Sequence, residues 1–270
     1  MPSHTPARRA TRAVGAVLML TLAAGCAAEA EGDTSSVRAP QVIKDGALTV
    51  CSDMPYEPFE SIKDGEPVGF DIDLVREVAE ELDLRLEIKD TDFDAIQSGD
   101  ALNSDQCDLA ISAMTITGER ARVLDFSSPY FDASQALVVA KGSGIDSLDD
   151  LAGQWIGVQG GTTGELYVTD NAPPSADVMP LKDAAAMEKA LSTRAVDAAV
   201  YDNTVVGDVV ANNPDLEVSA EFDTGEQYGM AVKKNGNVDL LRSINKVLAT
   251  LEEDGGYGKI YATWFGGAQD

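Results

Sequence analysis

Residues 111–120 read ISAMTITGER, an apolar run that gives way to hydroxyls and closes on an arginine. With Cys107, Asp108, Leu109 and Ala110 before it, the segment from about 107 to 114 has the composition of a short buried strand. Ser112, Thr115, Thr117 and Arg120 therefore gather where that strand ends. Two other places share this form. QWIGV enters the glycine-rich turn QGGTTGE, which carries Gln159, Thr162 and Thr163, and AVDAAVYD ends on Asp202. In open α/β sheets, ligands bind beyond the carboxyl ends of strands. A guanidinium forms two parallel bonds to a carboxylate, and the free N–H groups of a glycine-rich helix start favour an anion. A lone acid nearby suits an ammonium.

Each cluster also has a plainer reading. Serine and threonine after a strand serve turns. Asp202 ahead of Asn203 suits the cap of a following helix, and Tyr56 and Phe59 suit a core. Gly160, Gly161 and Gly164 would suit a phosphate loop, but the chain has no G-x-x-x-x-G-K-S/T, which argues against a nucleotide.

The elements that must position these groups alternate. Leu48 to Val50 reads as a strand, and Phe70 to Leu82 places apolar residues at helical spacing. Leu84, Leu86 and Ile88 then alternate with charges. After Pro129 come a strand at Ala136 to Ala140, a short helix capped by Ser147, the QWIGV strand, a helix over Asp183 to Ser192, AVDAAVYD, and a helix over Asn203 to Ala211. Val238 to Leu251 is a last amphipathic helix. The order implies two α/β units, each a mostly parallel sheet covered by helices.

Composition narrows the function. The chain has 270 residues and a net charge of −26. Arg8, Arg9 and Arg12 precede an apolar stretch from Ala13 to Ala24, too short to span a bilayer and suited to a signal peptide over residues 1–25. Cys26 follows LAAG, similar to a bacterial lipobox, although Leu22 stands one step earlier than the usual leucine. Lipid attachment at Cys26 and a polar tether over residues 26–40 are expected. Losing residues 1–25 removes three arginines and no acid, so the net charge becomes −29. Such a surface argues against nucleic acid as a partner. The one histidine, His4, leaves with the signal, which excludes histidine-dependent hydrolysis and histidine metal sites. No cofactor or metal is expected. Export would place Cys51 and Cys107 in an oxidising compartment, where a bridge is expected over two buried thiols.

The ordered set LTVCSDMPYEPFE, VGFDIDLVREVAEEL, DFDAI, ISAMTITGERARVLDFSSPYF, GVQGGTTGE, VDAAVYD, QYGMAV and LEEDGGYGKIYATWFG resembles the bacterial extracellular solute-binding proteins, family 3, the polar amino-acid binding proteins of ABC importers. The resemblance covers about residues 47–266. It implies a two-lobed periplasmic-binding-protein fold (type II), with lobe 1 over 41–135 and 229–270, lobe 2 over 136–228, and ALVVAK and QYGMAV as the crossovers. By motif, Arg120 would hold the ligand carboxylate with Thr115, Thr162 and Thr163, and Asp202 the ammonium with Ser112. Tyr56 and Phe93 would sandwich the aliphatic part. Asp53 would face the side chain and, with Glu60, favours arginine or lysine, with glutamine close behind. Ala113 stands where many relatives have serine or glycine, and Gln159 at a variable position. The expected protein is a monomer, lipid-anchored outside the cell membrane, that delivers its ligand to a permease and its ATPase subunit. A cyclohexadienyl dehydratase-like enzyme on the same fold is the alternative.

Overall fold

The computed structural model describes residues 39–266. The expected signal peptide, Cys26 and the tether up to residue 38 lie outside the described residues. The chain begins with β1 (Ala47–Ser52), a hairpin of β2 (Ser61–Lys63) and β3 (Glu66–Val68), α1 (Phe70–Glu81), β4 (Arg85–Asp90), α2 (Phe93–Gln97) and α3 (Asp100–Asn103). β5 (Leu109–Ala110), α4 (Arg120–Val123) and β6 (Leu124–Phe126) complete this stretch. There follow β7 (Phe131–Ala140), β8 (Trp155–Gln159), α5 (Thr163–Asn171), β9 (Asp177–Leu181), α6 (Ala184–Ser192), β10 (Ala198–Asp202), α7 (Val206–Asn212) and β11 (Leu216–Tyr228). β12 (Ala231–Lys233), α8 (Val238–Asp254) and α9 (Gly256–Phe265) come last.

These form two lobes, each around a five-stranded sheet. The first has the order β4-β1-β5-β12-β6, in which β1 is parallel to β4 and β5 while β12 runs antiparallel to β5 and β6. The second has the order β11-β7-β10-β8-β9, in which β8 is parallel to β9 and β10 while β7 opposes β10 and β11. One reversed strand in each mostly parallel sheet is where the chain changes lobes.

Helices form where the apolar spacing predicts. α1 buries Ile72, Leu74, Val75, Val78 and Ala79, and α8 buries Leu240, Ile244, Val247, Leu248 and Leu251. The starts of α6 and α8 are capped by Asp183 and Asn237, whose side chains accept from Ala186 N and Leu240 N. Ser147 caps a single 3-10 turn at Leu148–Leu151.

The first crossing differs from expectation. ALVVAK was expected to cross, but it lies within the second sheet, where Ala136 pairs with both Tyr201 and Glu221. β7 already starts at Phe131, opposite Tyr228, so the chain changes sheet at residues 127–130, before the expected boundary after 135. The apolar run marked the middle of the strand. Its polar first half, FDASQ, is held by pairing with β11, and Gln135 is fully buried. The return occurs at residues 229–230, within QYGMAV. Phe59 packs against Phe131 and Tyr228, one at each crossing, with ring centroids 5.0 and 5.4 Å away, so an aromatic cluster backs the hinge.

The strand expected over 107–114 is shorter, with β5 covering two residues. Asp108 turns its carboxylate back to the N–H groups of Ile43 and Thr49, and Ala113 bends away with φ +42°. Cys51 and Cys107 are bridged, with Cα atoms 5.8 Å apart, tying β1 to the approach of β5.

Candidate functional site

A cleft between the lobes contains about 490 Å³ of free space, its mouth included. The first lobe contributes the chain beyond β1 (Asp53, Tyr56), the start of α2 (Phe93), the turn beyond β5 (Ser112, Ala113, Thr115) and Arg120. The second contributes the end of β8 (Gln159), Thr162 and Thr163 at the start of α5, and Asp202 at the end of β10. These are strand ends and helix starts, as the parallel sheets require.

Glu60 is the exception among the residues expected here. It is fully buried and does not line the cleft. Its Oε1 accepts from the Ser112 hydroxyl at 2.6 Å, so it stands behind Ser112. The bridge between Tyr56 and Glu60 folds this segment back and turns the carboxylate inward. There it meets Asp71, whose Oδ2 accepts from Ala113 N and the Tyr130 hydroxyl. Burial pushes both carboxyls up, Asp71 to about 7 and Glu60 well above its ordinary range. Glu60 Oε2 and Asp71 Oδ1 lack donors of their own, which fits a proton held on Glu60.

Arg120 is 5% exposed. Its Nη1 donates to Thr115 O at 2.7 Å and its Nη2 to Gly161 O across the cleft at 3.0 Å, and its guanidinium lies 5.1 Å from the Phe93 ring centre. Among the described residues no carboxylate forms an ion pair with it. Burial lowers its pKa to about 10, countered by Asp202 and Glu226, so it stays charged at neutral pH. Beside it, the hydroxyls of Thr115 and Thr163 both donate to Glu226 Oε2, at 2.7 and 2.6 Å. Their backbone N–H groups have no acceptor among the described residues. Thr162 caps α5, accepting from Glu165 N and donating to Gln159 O. Gly161 takes φ +75°, a conformation that favours glycine, and lies against the side-chain ends of Asp94 and Gln97 of the first lobe.

Asp202 does not cap α7. Its Oδ1 accepts from Gln135 Nε2 at 2.7 Å and its Oδ2 from the Tyr228 hydroxyl at 2.5 Å. Burial, with Glu226 nearby, raises it to about 6 against the pull of those donors. Asp53 is also pushed to about 6 by burial, and its Oδ2 accepts from Gln159 Nε2 of the opposite lobe at 2.9 Å. Asp53 N donates to Ser112 Oγ, whose proton goes to Glu60, so Ser112 faces the cleft as an acceptor.

Gln135, Met187 and Tyr201 also line the cleft and were not foreseen. Gln135 Oε1 and the Tyr201 hydroxyl are buried without partners. A glutamine inside a buried strand was the one visible signal. A buried cation from one lobe and a buried acid from the other, lining one cleft, suit a small zwitterion.

The sequence matches the bacterial extracellular solute-binding proteins, family 3, over residues 48–267. The chain belongs to that family. It is 33% identical to a probable histidine-binding protein of Neisseria gonorrhoeae, over 87% of this chain and 88% of the relative. It is 35% identical to the ABC transporter arginine-binding protein 1 of Escherichia coli K12, over 78% and 87%. Two solved structures of an ancestral arginine-binding protein, one bound to arginine and one to glutamine, are each 42% identical to it. They superpose with TM-scores of 0.77 and 0.78, covering 82% and 83% of this chain and 99% and 100% of theirs. This solute-binding protein has their type II periplasmic-binding fold, and its relatives are binders of solutes. No helix among the described residues is long and apolar enough to cross a membrane.

Proposed function

We propose that this solute-binding protein captures one polar amino acid between its lobes and hands it to an ABC importer. The carrying observation is Arg120, a buried cation without an ion-pair partner among the described residues, set in a cleft that also holds the buried acid Asp202. A buried charge is costly unless paired, so the site favours a ligand that brings a carboxylate. That carboxylate meets Arg120 and the N–H groups of Thr115 and Thr163, and the ammonium meets Asp202. Tyr56 and Phe93 enclose the aliphatic part.

Closure follows from differential binding. Arg120 belongs to the first lobe and Asp202 to the second, so both act on one ligand only when the lobes meet. Four or five charge-assisted bonds of roughly 1.5–3 kcal/mol each reach micromolar affinity or better after association costs. The permease then reads the closed form. A lipid on Cys26 would keep the monomer at the membrane.

For the side chain, Asp53 favours arginine or lysine, and glutamine is close because the carboxylate also accepts from an amide. Glu60 no longer supports this choice, being sealed behind Ser112. A relative named for arginine and an ancestral arginine-binding protein bound to glutamine support this choice, and a relative named for histidine widens it. No catalytic role is assigned, because Arg120 and Asp202 match the two ends of an amino-acid zwitterion and the relatives are named as binding proteins. Calorimetry against the twenty amino acids tests the reading. Tight binding of arginine or lysine supports it, tighter binding of glutamine reverses the side-chain choice, and no binding by any refutes it.

A further inference from the structure

Glu226 does not line the cleft. It lies on β11 beyond a register shift, where Phe222 pairs with Gln135 and Glu226 with Ala133, and Gly225 (φ +61°) makes the turn between them. There it stands between the cleft and an outer crevice on the hinge side that Thr115 and Thr163 also line. Its Oε2 accepts from Thr115 of the first lobe and Thr163 of the second, and its Oε1 from Gln135 Nε2 at 2.9 Å and the Thr224 hydroxyl at 2.7 Å.

We propose that Glu226 is a positioning residue of the clamp, tying Thr115 to Thr163 and Gln135 across the lobes and drawing both threonine hydroxyl protons away from the ligand. A hydroxyl has one proton to give. With both protons committed to Glu226, these threonines turn only lone pairs and backbone N–H groups toward the cleft. Lone pairs repel a carboxylate, which is thereby directed to the N–H groups and Arg120. Gln135 is held by the same acid and in turn donates to Asp202, so one carboxylate braces the groups for both charged ends of the ligand. Burial alone would raise Glu226, but the donors Thr163, Thr115, Gln135 and Thr224 outweigh it and keep the acid ionised at neutral pH.

The ligand arm of this inference rests on the amino-acid reading, and the lobe tie does not. Stopped-flow binding of the tightest amino acid should show Glu226→Ala releasing it ~10-fold faster, about the effect of one charge-assisted bond, with the association rate within about twofold. Glu226→Gln, which keeps one acceptor, should fall between, and it carries the comparison alone if the alanine variant does not fold. A Thr163→Val change should add little once Glu226 is alanine, because both remove the same bond. An unchanged release rate, a slower one (the freed hydroxyls then serving the ligand better than the tie), or a loss carried by association overturns the proposal. If the parent binds no amino acid, the amino-acid reading fails and the tie is judged by itself. Spin labels on the two lobes of the ligand-free protein should then show longer separations in Glu226→Ala than in the parent, and identical distributions overturn the tie.

Discussion

Around Arg120 the Thr115 and Thr163 hydroxyls are committed to Glu226 and two of the five guanidinium N–H groups to backbone carbonyls, whereas the Asp53 carboxylate is held by a single side-chain bond from Gln159. The first group joins a permanent cation, helix-start N–H groups and a hub on Glu226. The second is one half-buried acid with a single side-chain partner across the cleft. A rigid, pre-bonded region suits the carboxylate and ammonium common to all amino acids, since little is left to reorganise on binding. A sparsely bonded acid suits the part that varies between ligands, because one substitution there changes preference without dismantling the site.

Breaking the rigid region should cost most. Arg120→Ala is expected to stay folded yet lose affinity by ~100-fold or more, the equivalent of about 3 kcal/mol, and Arg120→Lys should recover little because an ammonium cannot make paired bonds. Calorimetry with parent-like affinity in either variant would remove the guanidinium from the site. At the adjustable region, Asp53→Asn should cost arginine or lysine ~2 kcal/mol, about 30-fold, and glutamine distinctly less. Equal losses for both ligands would place Asp53 in the common region.

Acid separates the regions in another way. Asp202 and Asp53 hold protons up to about pH 6 in the folded protein, above ordinary carboxyls. Stability from their protonated forms is thus present at low pH and lost as pH rises through about 6. Ligand binding has the opposite sign, since the ligand requires the anions. A ligand with a neutral side chain needs only Asp202 ionised and should bind about tenfold more weakly at pH 5 than at pH 6.5, whereas a cationic one needs both acids and should fall more steeply. Titrations at the two pH values check this, and identical slopes would count against Asp53 meeting the side chain. The smallest effect concerns Ala113, held at φ +42° with its N–H on Asp71. Ala113→Gly should relieve up to about 1 kcal/mol of backbone strain and raise Tm by about 2–4 °C without changing affinity.

Much of this was legible in the chain. Helical spacing over residues 70–82 and 238–251, alternation over 84–88, and hydroxyls, glycines and acids after apolar runs placed Arg120, Thr162, Thr163 and Asp202 at strand ends, because these are local patterns of period and composition. Which way each polar group turns is not local. Glu60 looked like a site residue beside Tyr56, and only its burial against Ser112, 52 residues away, and Asp71 at the start of α1 turned it inward. Thr115 and Thr163 read as carboxylate donors, but only the fold showed that their hydroxyls are bonded to Glu226, 111 and 63 residues distant, so that their backbone N–H groups are what remains for a carboxylate. The crossing at residues 127–130 followed from pairing between β7 and β11, not from the apolar run that marked the strand's middle. Sequence period determines which residues leave a strand end. The direction of a hydroxyl proton and the charge of a buried acid depend on partners that only the packed lobes supply.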